Sequence, residues 1–118
     1  MAVRVITITE LAFSKAAVWT GLTQATLDSG EPFEGNEYGD RSVQISGTFG
    51  AGGSVNIEGS NNGTVWAILA DPQGNALTFT TAKIEQVLEA VRYIRPIVTA
   101  GDGTTSLTAT LFARRSGR

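Results

Sequence analysis

The chain has 118 residues, 42% hydrophobic and 17% charged, with net charge −2, 14 glycines, no histidine and no cysteine. That length suits one domain with a core of its own. The composition excludes disulfides, thiolate metal sites, cysteine nucleophiles and imidazole acid–base chemistry, and no run of about 18 apolar residues is present to span a bilayer as a helix.

The opening residues lack the pattern of a cleavable export signal, so synthesis in the cytoplasm is expected. Val3 and Val5 fall on one face of a β-prone run over residues 2–9, and Ile6 and Ile8 on the other. One extended strand, apolar on both sides, is therefore predicted, either central in the fold or covered by a partner. Residues 23–40 hold Gly30, Pro32, Gly35 and Gly39 among Asp28, Glu31, Glu34, Glu37 and Asp40. They read as a long acidic loop or arm reaching a neighbouring subunit.

From Ser42 the period is two. Val43, Ile45 and Phe49 alternate with Gln44, Ser46 and Thr48, and Val55 and Ile57 resume the pattern after Gly50-Ala51-Gly52-Gly53. The two runs read as a hairpin. Asn62-Gly63 signals a second tight turn, with Trp66 and Ile68 on the returning strand and Trp66 in the core. Asp71 to Asn75 is a further turn before a short strand through Leu77 and Phe79. Between Thr81 and Arg92 the apolar spacing is ambiguous, and a strand at Gln86 to Glu89 with a turn at Ala90 to Arg92 is the preferred reading. Pro96 has no N–H to give to a ladder, so the run from Tyr93 to Thr99 is predicted as an edge strand or one bulged there. The last strand, Ser106 to Ala113, faces Leu107, Ala109 and Leu111 one way and Thr108, Thr110 and Phe112 the other. About seven or eight strands result, an all-β antiparallel sandwich or jelly roll in one domain: residues 1–40 as N-terminal strand and arm, 41–115 as body, 116–118 as a flexible tail.

Charge is segregated. Residues 28–40 carry five acids and no base, whereas residues 92–118 carry five arginines, Arg92, Arg95, Arg114, Arg115 and Arg118, against Asp102 alone. Such patches can register neighbouring copies. The arginines lack interleaved aromatic residues and the chain is net acidic, which argues against a nucleic-acid partner.

Candidate chemistry is sparse. The dense carboxylates lie in the glycine-rich stretch, a poor scaffold for the fixed separation that an acid–base pair needs. The Gly47 to Gly53 segment lacks the Lys-Ser/Thr ending of a phosphate loop. Asn62-Gly63-Thr64 fits a glycosylation sequon, but reads first as a turn. Asp40, Asp71 and Asp102 have no calcium-loop spacing. No enzyme activity, cofactor, metal or membrane partner is expected. Trp19, Tyr38 and Phe112 are less clearly inward-facing and remain candidates for core, interface or a sugar-stacking platform.

The stretches Ser42 to Phe49, Val55 to Trp66, Arg92 to Pro96 and Leu107 to Arg115 resemble small β-sandwich virion proteins of tailed bacteriophages, head decoration (cement) proteins above all. The resemblance covers roughly residues 40–115. It implies a virion structural protein, a homo-oligomer and commonly a trimer, on the outer capsid surface, clamping adjacent major capsid protein subunits. The partner contacts it implies fall on Arg4, Ile6 and Ile8, and on Glu31, Glu34, Glu37, Phe112, Arg114 and Arg115. Gly-Ser-Asn-x-Gly-Thr-x-Trp hairpins also occur in other β-sandwich modules, so the rival expectation is a tail or baseplate module binding host-surface carbohydrate. A stand-alone bacterial adhesion domain fits less well without an export signal.

Overall fold

The computed structural model describes residues 2–23, 28–35 and 38–115. In chain order the strands are β1 (Val3–Arg4), β2 (Thr7–Leu11), β3 (Ser14–Leu22), β4 (Ser29–Gly30), β5 (Phe33–Glu34), β6 (Asp40–Thr48), β7 (Ser54–Ser60), β8 (Ala67–Ile68), β9 (Thr78–Phe79), β10 (Lys83–Gln86), β11 (Tyr93–Ala100) and β12 (Ser106–Arg114). Two sheets form a β-sandwich. One runs β1-β4-β11-β7-β8, with β5 also on β11 and β9 also on β7; the other runs β10-β6-β12-β3-β2. Among the described residues, twelve strands replace the seven or eight expected, because several are two-residue pieces that a two-residue period cannot reveal.

The alternation in β12 is borne out. Leu107, Ala109, Leu111 and Ala113 are buried between the sheets, and Phe112 and Arg114 lie on the outer face. Val43 and Ile45 of β6, Val55 and Ile57 of β7, and Trp19 of β3 complete much of the core. Trp19, only 1% exposed, donates its indole N–H to the Glu31 carbonyl at 2.8 Å. Its ring leaves no room beside Gly30, where a Cβ would stand 2.5 Å from Trp19 Cδ1 and 2.7 Å from Pro96 Cδ.

Several expectations are corrected. The runs flanking Gly50 to Gly53 are not a hairpin: β6 and β7 belong to different sheets, and the glycine turn crosses between them. The turn from β11 to β12 makes the same crossing. The two crossings are tied together, since Asp102 Oδ2 accepts the Ala51 N–H at 2.9 Å and Thr105 Oγ1 donates to the Phe49 carbonyl at 2.7 Å. The single N-terminal strand is two strands, β1 in one sheet and β2 in the other. The supposed arm, where described, is β4 and β5, with Asp28, Ser29 and Gly30 buried. The strand near residue 86 is Lys83–Gln86, paired to β6, and residues 87–92 form no strand.

Pro96 lies inside a sheet and away from the bulge, which falls between Val98 and Ala100. The Val98 N–H donates to the Asp28 carbonyl at 2.8 Å, so two residues earlier Pro96 turns its nitrogen to the same side. There the neighbouring strand is interrupted between β4 and β5, and no ladder bond is lost. Trp66 is half-buried on the outer face, not in the core, and the Arg95 guanidinium lies 4.0 Å from its ring centroid.

Two outcomes follow. Gly30→Ala is expected to cost about 1–3 kcal/mol through overpacking against Trp19, measured by chemical denaturation. Hydrogen bonds from the Thr104 side chain and the Ala51 and Thr104 backbone pull the Asp102 carboxyl from 3.8 down to about 2. A carboxyl with a lowered folded-state value stabilises fully above its unfolded value and loses that contribution as pH falls through the folded one. Asp102→Asn should therefore lower the melting temperature at neutral pH. The gap from the unsubstituted protein should close between about pH 4 and about pH 2 in a series of thermal melts.

Candidate interaction surface

The N-terminal segment leaves one sheet and joins the other along the margin of the sandwich. Its first half is pinned by charge. Arg4 donates from Nε to Asp28 Oδ2 at 2.7 Å, with a second nitrogen at 2.6 Å, and the Thr23 N–H and hydroxyl each reach the same oxygen at 3.0 Å. The Asp28 side chain is fully buried. β1 lies parallel to β4 beside this pair, with the Glu31 N–H donating to the Arg4 carbonyl at 2.8 Å. The Glu31 carboxylate then accepts the Ile6 N–H at 3.1 Å. Thus Arg4 and Ile6, assigned from sequence to one contact, and Glu31, assigned to another, meet at one place.

The second half of the segment is open. β2 pairs with β3 on one side and ends its sheet on the other. All five of its residues are exposed. A two-residue turn, Ala12-Phe13, leads into β3. Phe13 there has φ 57°, the left-handed region that glycine and asparagine enter readily and a bulky residue does not. Phe13 is 74% exposed and Val5 78%. Val3, Ile8 and Leu11 are also exposed, so five apolar side chains within eleven residues of chain face solvent along one margin. Arg115 borders the tip, its N–H donating to the Phe13 carbonyl at 3.0 Å and its guanidinium 6.0 Å from the ring.

Most of the remaining predicted contacts find partners within the chain. Glu34 accepts from Arg92 at 3.0 Å, a bond that raises the guanidinium pKa above its ordinary value. Arg114 lies 3.4 Å from Asp40. Phe112 and Arg114 line an open depression of about 360 Å³ with Ser42 and Gln86 on the outer face. Glu37 lies outside the described residues. The acidic stretch and the arginines therefore neutralise one another inside one molecule to a large extent. Arg41 adds to this anchoring: it is buried, donates to the Tyr38 and Gly35 carbonyls at 2.8 and 2.7 Å, and burial lowers its pKa.

Sequence reasoning missed Leu11 and Phe13, because no glycine, asparagine or proline marks the Ala12-Phe13 turn. The available signal was two β-prone runs, Thr7 to Leu11 and Lys15 to Trp19, too long to be one strand of a small sandwich.

No family model matches the sequence, and no curated protein matches it. Among solved structures, the SPBc2 prophage-derived protein YomS shares the fold, with a TM-score of 0.62 over 89% of this chain and 97% of that one. Sequence identity is 13%, so the likeness is one of fold.

Arg4→Ala removes the positive charge that pairs with the buried Asp28 carboxylate, and is expected to cost about 1–3 kcal/mol and to expose the N-terminal segment to limited proteolysis. Phe13→Gly relieves the left-handed strain of an exposed residue and should raise stability by about 1 kcal/mol in denaturant melts.

Proposed function

We propose that this chain is a non-enzymatic structural protein of a tailed-phage virion, seated on the outer capsid surface and clamping adjacent major capsid protein subunits. The observation that carries the reading is the N-terminal margin, where an unpaired strand edge, five exposed apolar side chains and a strained aromatic tip converge. Exposed apolar groups concentrated on one edge mark a surface built to be covered. A backbone strain kept at an exposed Phe is tolerated where the side chain has work outside the molecule. The fold held in common with a prophage-derived protein supports the phage origin. An extended capsid segment could add to the β2 edge through backbone hydrogen bonds, with Ile8, Leu11 and Phe13 supplying the side-chain contacts. Many such sites, each weak, would stabilise the assembled shell by mass action.

A second reading, a tail or baseplate module that binds host-surface carbohydrate, is favoured by the aromatic residues on the opposite outer face. Trp66 lies under Arg95, and Tyr93 under Arg92 with its guanidinium 4.8 Å from the ring centroid. The two guanidinium groups already occupy positions over these rings, which weighs against sugar stacking there.

Mass spectrometry of purified virions, normalised to the major capsid protein, separates the two. Hundreds of copies per particle are expected, and Phe13→Asp should reduce occupancy at least tenfold without unfolding the protein. A handful of copies, with occupancy untouched by Phe13→Asp, would favour the tail reading.

A further inference from the structure

We infer that two copies of this chain pair through β2, edge to edge and antiparallel, about a two-fold axis at Thr9. The inference does not rest on the virion reading: a second copy and a capsid segment would compete for the same β2 edge, and the pairing replaces the three-fold association that the family resemblance implies.

The backbone geometry sets which groups are available. The Arg115 N–H donates to the Phe13 carbonyl, so Ser14 turns its own N–H and carbonyl away from β12 and toward β2. Along an antiparallel ladder the orientation alternates. Leu11, Thr9 and Thr7 therefore bond to β3, and Ile8 and Glu10 point their N–H and carbonyl groups out of the sheet. At Ile6 the Glu31 carboxylate already holds the N–H. Among the described residues, the open edge is thus the two residues Ile8 and Glu10.

Charge then selects the partner and the register. Three antiparallel self-pairings can use these groups. Glu10 opposite Glu10 sets two carboxylates face to face, which is destabilising. Ile8 opposite Ile8 places Glu10 against Ile6, whose N–H is taken and beside which Glu31 sits. Ile8 opposite Glu10 satisfies both residues in both copies and puts no acid against an acid. In that register Thr9 meets Thr9 of the second copy, Thr7 meets Leu11 and Val5 meets Phe13. The two most exposed apolar side chains of the margin cover each other. The Arg115-flanked tip of each copy is brought to the Glu31 end of the other, an opposite-charge contact at each end of the seam. An isologous interface of this kind closes at two copies.

The other edge of the same sheet is built differently. β10 carries Lys83 and Glu85, which pair at 3.1 Å, and charged residues on an edge are the usual guard against strand addition. β2 has no lysine and no proline, and its one charged residue, Glu10, lies 3.8 Å from Lys15 of β3, the strand it already pairs with. Three of its five residues, Thr7, Ile8 and Thr9, are β-branched and suited to a paired strand.

The seam is tested by size and by cross-linking. Light scattering on the purified chain should give twice the 12.4 kDa chain mass at high concentration and a return to monomer on dilution. Thr9→Lys and Thr9→Glu should each be monomeric, and an equimolar mixture of the two should restore the pair. The chain has no cysteine, so Thr9→Cys should form a covalent dimer under mild oxidation at least tenfold faster than Gln44→Cys, an exposed position on the outer face of β6. A monomer or trimer at all concentrations, or equal cross-linking at the two positions, would overturn the inference.

Discussion

The buried carboxylate of Asp28 is the constraint on which the arrangement of this molecule depends. It collects the Arg4 guanidinium and both Thr23 donors, while the backbone carbonyl of the same residue takes the Val98 N–H from β11. A carboxylate so far from water is tolerable only when its oxygens are occupied. Arg4 must therefore stay in place, and β1 with it. Once β1 is fixed along β4, the chain has to cross at Val5 and Ile6 to reach the second sheet. The exposed margin that follows is the geometric result of that crossing. Stability and surface are thus linked: the same ion pair that closes the core sets the position of the edge that faces outward.

The segregation of charge along the sequence takes on a different meaning in three dimensions. Acids at 28–40 and arginines near the C-terminal end suggest two patches meant for other molecules. Folding brings Glu34 to Arg92 and Asp40 to Arg114, and turns Asp28 inward to Arg4. The two exposed pairs, Glu34–Arg92 and Asp40–Arg114, contribute little stability each. Their effect is to register β5 and β6 against the strands they meet, and to leave the molecule without a large field of one sign.

Much of the sandwich was legible because its central strands bury one face only. In β12 and β6 the two-residue period maps directly onto inside and outside, so Leu107, Leu111, Val43 and Ile45 were readable as core. The hairpin misreading at Gly50 to Gly53 has a clear cause. A glycine turn looks the same in sequence whether the next strand pairs with the last or crosses to the other sheet. The choice is made by β11 and β12, about fifty residues on, through Asp102. Trp19 and Trp66 were exchanged for a related reason: both sit in β-prone runs, and only the close fit of Gly30 against the Trp19 indole distinguishes the buried one. The candidate surface was legible in part. Arg4, Ile6 and Ile8 pointed to the correct segment, but its most exposed aromatic residue was hidden by a turn without turn residues.

The order of the strands in the five-stranded sheet has a consequence for how the protein is made. β12 is the last of the twelve described strands in the chain and lies at the centre of that sheet, between β6 and β3. Until residue 114 has emerged from the ribosome, β2 and β3 can form their own hairpin, while β6 and β10 have nothing to join them to it. Half of the sandwich therefore waits, with its inner faces wet, until β12 has been made. Long-range pairing of this kind is slow to find and open to wrong partners in the interval. Assembly of any larger structure from this chain then begins only after translation through β12 is complete, which separates making the part from using it.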